Sequence, residues 1–255
     1  MRLTSFGSAA ARAAFLLPIL AAASLAPSGA GAAPLGTNLI VNGDAEAGTG
    51  SSSGAVVPVP GWTTTSNFTA VSWTAAGGFP VASDPGAADR GLNFFAGGPG
   101  NAFSNATQVI DLSANSAAID AGTLQYGLSG WLGGFSTQGD NAVLTASFLD
   151  ADGATLSFAA LGPVTSADRT GLSGLLLREA EGFIPVGTLS VEIRLDMTRE
   201  AGSYNDGYAD NLSFSVSAVP EPGTWAMLGA GLGLLAFRAR SRRQRQGSMP
   251  PMPRC

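Results

Sequence analysis

The chain runs to 255 residues, 45% of them hydrophobic and 12% charged, with a formal net charge of −5. It contains no histidine, its 13 basic residues are all arginine, and its one cysteine is Cys255. Ser-His-Asp and Cys-His nucleophiles, Schiff-base lysines and histidine zinc sites therefore cannot be built within the chain, and no intrachain disulfide can staple it.

In chain order, Arg2 and Arg12 precede an apolar run from Ala13 to Leu25, followed by small residues from Ser28 to Ala33. This layout predicts a secretory signal peptide over residues 1–32, cut at Ala30-Gly31-Ala32. The body that follows, residues 33–218, is long enough for one domain with its own core. It holds five arginines against seventeen acids, a net of −12. An acidic body with no basic patch repels phosphates, so nucleic acid is excluded as a partner.

Short apolar or alternating runs broken by Gly, Asn, Asp and Ser fill the body, and none carries a helical stripe. Strands are predicted at Asn38–Val41, Thr69–Thr74, Gly91–Ala96 and Thr107–Leu112, then from Leu124 to Leu132 around Trp131. Val143–Leu149 and Ala154–Ala159 flank Asp150-Ala151-Asp152-Gly153, the pattern of a hairpin turn. Further strands are predicted at Leu172–Arg178, Thr188–Met197 and Tyr208–Val216. The clearest is Thr188–Met197, where Leu189, Val191, Ile193, Leu195 and Met197 alternate with Ser190, Glu192, Arg194 and Asp196. Period two with a charged outer face is what a half-buried antiparallel strand requires. The expected class is all-β, an antiparallel sandwich or jelly roll, with a signal helix before it and a short transmembrane helix after it. Gly97-Gly98-Pro99-Gly100 and the stretch from Gly48 to Pro60 are expected as loops.

The tail combines three features. Val219, Pro220, Glu221 and Pro222 form a stretch in which both prolines disfavour helix. An apolar segment follows, with Trp225 at one end and Leu228, Leu232, Leu234, Leu235 and Phe237 along it, and then Arg238, Arg240, Arg242, Arg243 and Arg245. A helix from 224 to 237 would be about 21 Å long. That is short against a bilayer core of about 30 Å, so it predicts a transient anchor. The arginine bias places its end in the cytoplasm and the body outside. Residues 246–255 are expected to be a disordered tail.

This block resembles the PEP-CTERM sorting signal of bacterial exported surface proteins. The resemblance implies an exosortase-type membrane protease as partner, cutting near Pro-Glu-Pro, and a transient stay in the inner membrane before release to the cell surface or matrix. A second resemblance rests on Asn38-Leu39-Ile40-Val41-Asn42-Gly43-Asp44-Ala45-Glu46 at the start of the body and Ala209-Asp210-Asn211-Leu212-Ser213 near its end. This pair resembles the galactose-binding-like jelly rolls, which include many carbohydrate-binding modules. It implies that the first and last strands lie side by side and that Glu46 and Asp210 supply carboxylates to a structural Ca²⁺. Ala45 departs from the pattern, which usually has an aromatic there.

Aromatic rings are the usual sugar platforms. Of Trp62, Trp73, Phe94, Phe95, Trp131, Phe135 and Tyr204, most are expected in the core. Trp73 and Tyr204 lie beside polar or glycine-containing segments and are expected to be exposed and ligand-binding. The function expected is a non-catalytic exported surface protein whose body binds extracellular polysaccharide. The alternatives are a secreted glycoside hydrolase working through acids among Asp140, Asp150, Asp152, Asp196 and Asp206, or a protein-binding matrix or adhesin component.

Overall fold

A computed structural model describes residues 31–219, together with 230–232 and 234. Within these, ten strands run in chain order: β1 (Thr63–Thr64), β2 (Thr69–Ser72), β3 (Asn93–Pro99), β4 (Phe103–Asp111), β5 (Leu124–Gly134), β6 (Asn141–Leu149), β7 (Thr155–Leu161), β8 (Gly174–Phe183), β9 (Ser190–Thr198) and β10 (Tyr204–Ala218). A 3₁₀ turn at Ser113–Asn115 and the short helix α1 (Ser116–Asp120) connect β4 to β5. The first sheet has the order β1-β4-β9-β6-β7 and the second β2-β3-β10-β5-β8, with every ladder antiparallel.

Alternation drives the packing. Val191, Ile193, Leu195 and Met197 of β9 are fully buried, while Ser190, Glu192, Arg194 and Asp196 are half-buried on the opposite face. Leu144, Ala146 and Phe148 of β6 lie on the same side and meet Leu128, Leu132, Ala209, Phe214 and Val216 from the second sheet. The sandwich is thus two sheets closed over one apolar interior, the arrangement expected from the strand pattern. Asp150 makes the predicted hairpin turn, its Oδ1 accepting from the Asp152 and Ala154 amides at 2.9 Å.

Two local expectations fail. Asn38–Val41 forms no strand; it lies as a turn-rich segment beside β10, held by Leu39 N to Phe214 O at 2.8 Å. The reason is the Asn38 side chain. Its carboxamide donates to Leu212 O and accepts from Phe214 N and Ile40 N, so side-chain bonds stand where ladder bonds would. The Gly97–Pro99 piece, expected as a loop, completes β3, because Gly98 and Pro99 pair with Asn205 and Tyr204 of a β10 that begins earlier than predicted.

The expected signal peptide lies outside the described residues apart from its last two. So do the Pro-Glu-Pro stretch, the arginines and most of the apolar segment. Of that segment Ala230, Gly231, Leu232 and Leu234 are described, as helical. Among the described residues no helix is long and apolar enough to cross a membrane.

Candidate functional site

The two halves of the N-G-D and A-D-N-L-S pattern meet along β10, an inner strand of the second sheet. Gly43 O accepts from Leu212 N at 2.8 Å. A side chain at Gly43 would bring its Cβ to 2.1 Å from Leu212 O, so only glycine allows this approach. Opposite it, the register of β10 on β5 shifts between Asp210 and Ser213, and Asn211 takes a positive φ of 46°. Asp210 pairs with Trp131 on the outer face of the sheet, yet it is buried there with no solvent exposure.

Asp210 is poorly satisfied there. Its Oδ1 accepts from the Asn211 amide at 2.8 Å, but its Oδ2 is buried with no partner. Burial pushes its carboxyl up to about 8, opposed by the Asn211 amide and reinforced by the charges of Glu46 and Asp44. Arg90 offsets little, since its guanidinium stacks over the Trp73 ring at 4.7 Å and donates to the Ala87 and Asp84 carbonyls. Half-buried Glu46 uses its Oε1 to accept from the Leu92 and Asn93 amides at 2.7 and 2.8 Å. The structure therefore brings the two acids expected as metal ligands into one electrostatic neighbourhood. Among the described residues no group of three or more His, Cys, Asp or Glu side chains gathers to hold a metal.

The outer face of the second sheet divides in two. Over β2, β3 and the start of β10, the loop from Trp73 to Leu92 folds back as a roof. It seals Trp73, Ala75 and Phe79 against Val71, Phe94, Ala96, Leu175 and Tyr208 in a second apolar cluster. Trp73, expected to be exposed, is buried: its indole donates to Asn93 O at 3.1 Å, and its ring is covered by Phe94 at 4.7 Å and by Arg90. Tyr204 is half-buried, its hydroxyl donating to Gly54 O and its ring edge-on to Phe79 at 5.1 Å. Neither presents the free flat platform expected of it. Polar neighbours in sequence do not expose a ring that a loop roofs over.

Beyond the roof the same face is open. Two adjoining hollows of about 510 and 450 Å³ share Ser129 and Ser213 and form one groove. Its floor is Gly127, Ser129, Ser213 and Ser215, outward-facing residues of β5 and β10. One wall is edge strand β8, through Glu179, Glu181 and Leu177; the other is the segment carrying Asn38, Asn42 and Asp44. Trp131, paired with Leu177 across the strands, stands half-exposed at the roofed end. Sequence reasoning placed Trp131 with the core rings. The signal that it faces outward is parity, since Leu128 and Leu132 point inward on the same strand.

The acids weighed for glycoside hydrolysis are engaged as follows. Asp140 is buried and accepts from the Glu200, Ala201 and Asp206 amides. Asp150 holds its turn, Asp152 lies exposed in the same turn, and Asp196 pairs with Arg194 at 2.7 Å. Asp206 accepts the Tyr208 hydroxyl.

Comparison with known proteins adds two findings. Residues 218–243 match the family model of the PEP-CTERM protein-sorting motif. The chain thus carries the sorting motif of proteins exported to the cell envelope. No curated protein matches its sequence. Among solved structures, a family 16 carbohydrate-binding module aligns with 69% of this chain and 99% of its own, at 22% identity and a TM-score of 0.43. TmCBM61 in complex with β-1,4-galactotriose aligns over 72% and 99%, at 15% identity and TM-score 0.40. A cyclase from Fischerella sp. TAU aligns over 71% and 97%, at 14% identity and TM-score 0.42.

Proposed function

We propose that the chain is a non-catalytic envelope protein whose jelly-roll body binds uncharged polysaccharide along the groove of the second sheet. The observation that carries this reading is the groove itself. A floor of glycine and serine lets a chain lie close and offers hydroxyls to its oxygens, and the half-exposed Trp131 supplies a ring face for a sugar. Glu179, Glu181, Asp44 and Asp89 border it with no arginine among the lining residues. Uronate or sulfated chains would meet like charge. Native gels cast with a neutral glucan or galactan and with an anionic alginate supply the test. Retardation by a neutral chain that weakens in Trp131→Ala is expected; retardation by alginate alone ends the proposal.

The sorting motif assigns the export route. We read the tail as the substrate of an exosortase-type protease and as a transient inner-membrane anchor holding the body outside the cytoplasm. Protease added to spheroplasts should digest the body; a body that resists until lysis reverses the topology.

A structural Ca²⁺ held by Glu46 and Asp210 is part of the same reading. The orphaned, buried Oδ2 of Asp210, beside the acidic Glu46 and Asp44, is a fit for a hard cation. Backbone carbonyls and water would complete the oxygen shell. The ion would neutralise the buried carboxylate and tie the first segment of the body to its last strand.

A further inference from the structure

A separate hollow of about 210 Å³ is lined by Ser53, Gly77, Gly78, Phe79, Phe135, Tyr204 and Asp206 and shares no residue with the groove. It is smaller than drug-sized pockets, which start at about 300 Å³, so it suits one sugar ring or less. Three of its walls are aromatic. Phe79 and Tyr204 meet edge-on, and a Cβ on Gly54 would stand 2.3 Å from the Phe79 ring and 3.0 Å from the Tyr204 ring. With the Tyr204 hydroxyl bound to Gly54 O, this glycine locks both rings in place. Phe135 flanks Gly78, whose absent side chain leaves its ring half-exposed.

The remaining wall is the carboxylate of Asp206. One oxygen takes the Tyr208 hydroxyl. The Asp140 carboxylate stands next to it, its Oδ2 accepting the Asp206 amide at 2.9 Å, and adds a second negative charge. Buried Arg169 lies close enough to act on Asp140 and Tyr208, but one guanidinium offsets at most one of the two carboxylates. Arg90 stacks on Trp73, and Arg169 serves the Ser136, Leu172 and Gln138 carbonyls. Arg178 and Arg194 are paired with Asp168 and Asp196, and Arg199 binds Ser203 O.

We propose that this end pocket binds a small organic ammonium group, of the kind carried by an amino sugar, between Phe79, Phe135 and Tyr204 and against Asp206. Ring faces and a carboxylate both attract a cation, and they attract it most where water is partly excluded. A neutral hydroxyl would leave the acidic charge uncompensated. Burial, opposed by the Tyr208 hydroxyl and reinforced by Asp140, pushes the Asp206 carboxyl up to about 6. The other ionisable groups around it are the Tyr204 and Tyr208 hydroxyls, both pushed further up, mainly by burial, and so neutral, and the Arg169 guanidinium, which acts on Asp140 and Tyr208. The anion the ligand needs is present above pH 6 and lost below it.

Calorimetric titration of the full chain with glucosamine, N-acetylglucosamine and choline tests the site. Glucosamine should bind at pH 7 and lose about tenfold in affinity at pH 5 as the carboxylate is protonated. N-acetylglucosamine, the same ring without the charge, should not bind. Choline binding as well identifies any small ammonium as the ligand, and glucosamine binding alone identifies amino sugars. Asp206→Asn, which keeps an acceptor for Tyr208, should abolish the heat, and Phe135→Leu should weaken it even if the Asn variant misfolds. Trp131→Ala should leave it unchanged, which separates this pocket from the groove. Equal binding of the acetylated sugar, full binding by Asp206→Asn, or silence from both ammonium compounds overturns the proposal.

Discussion

One face of one sheet carries two opposite surfaces. Where β10 and β5 run under the 73–92 loop, their outward positions are large and sealed: Tyr208 is fully buried, and Trp131 lies at the boundary. A few residues on, past the bulge at Asp210, the outward positions of the same strands shrink to Ser213, Ser215, Ser129 and Gly127 and face solvent. The strand geometry is shared, so side-chain size and the roof make the difference. An outer face with large apolar residues needs a cover, whereas one with serine and glycine can stay open for a ligand.

The comparison breaks most sharply under truncation. Phe94→Ala in the roofed half should cost about 3–5 kcal/mol, as for buried aromatics generally. Ser213→Ala in the open half should stay within about 0.5 kcal/mol. Urea unfolding measures both, and equal losses would mean that the groove is structural.

The boundary between the halves should answer to cations. With calcium near a hundred times its dissociation constant, stability should rise by about 2.7 kcal/mol, or roughly 5–10 °C in melting temperature. A melting temperature indifferent to EDTA removes the ion. In chelated protein the raised Asp210 carboxyl means the folded state holds a proton that the unfolded chain loses above about pH 4. That stabilising contribution is complete below pH 4 and is lost as pH rises through about 8. Asp210→Asn should flatten this slope and abolish the response to calcium together.

Smaller effects sharpen the open half. Trp131→Ala should weaken polysaccharide retention about tenfold, close to the 1.4 kcal/mol that an aromatic contact is worth. Glu179→Gln with Glu181→Gln should leave neutral binding alone and let anionic chains in slightly more, an effect erased by 0.5 M salt.

Much of this was legible in the residues. Period-two runs located nine of the ten strands, because alternation is a local record of which face is buried. The hairpin at Asp150 was legible because aspartate and glycine encode a turn by their own hydrogen bonding. The paired motifs rightly anticipated that the first segment and last strand adjoin. The two-residue β1 was missed because it carries no pattern of its own. Trp73 was misjudged because neighbours in sequence say nothing about a loop that returns over a ring.

The sequence by itself determined the C-terminal sorting motif, the acidic and histidine-free chemistry of the body, and the sandwich, since composition and alternation act through near neighbours. Tertiary structure alone decided which outward face is roofed and which is open. It also decided that Asp210 lies buried with an orphaned oxygen and that Asp206 meets three rings. Those outcomes depend on contacts between segments far apart in the chain, where burial and charge are set by what folds against them.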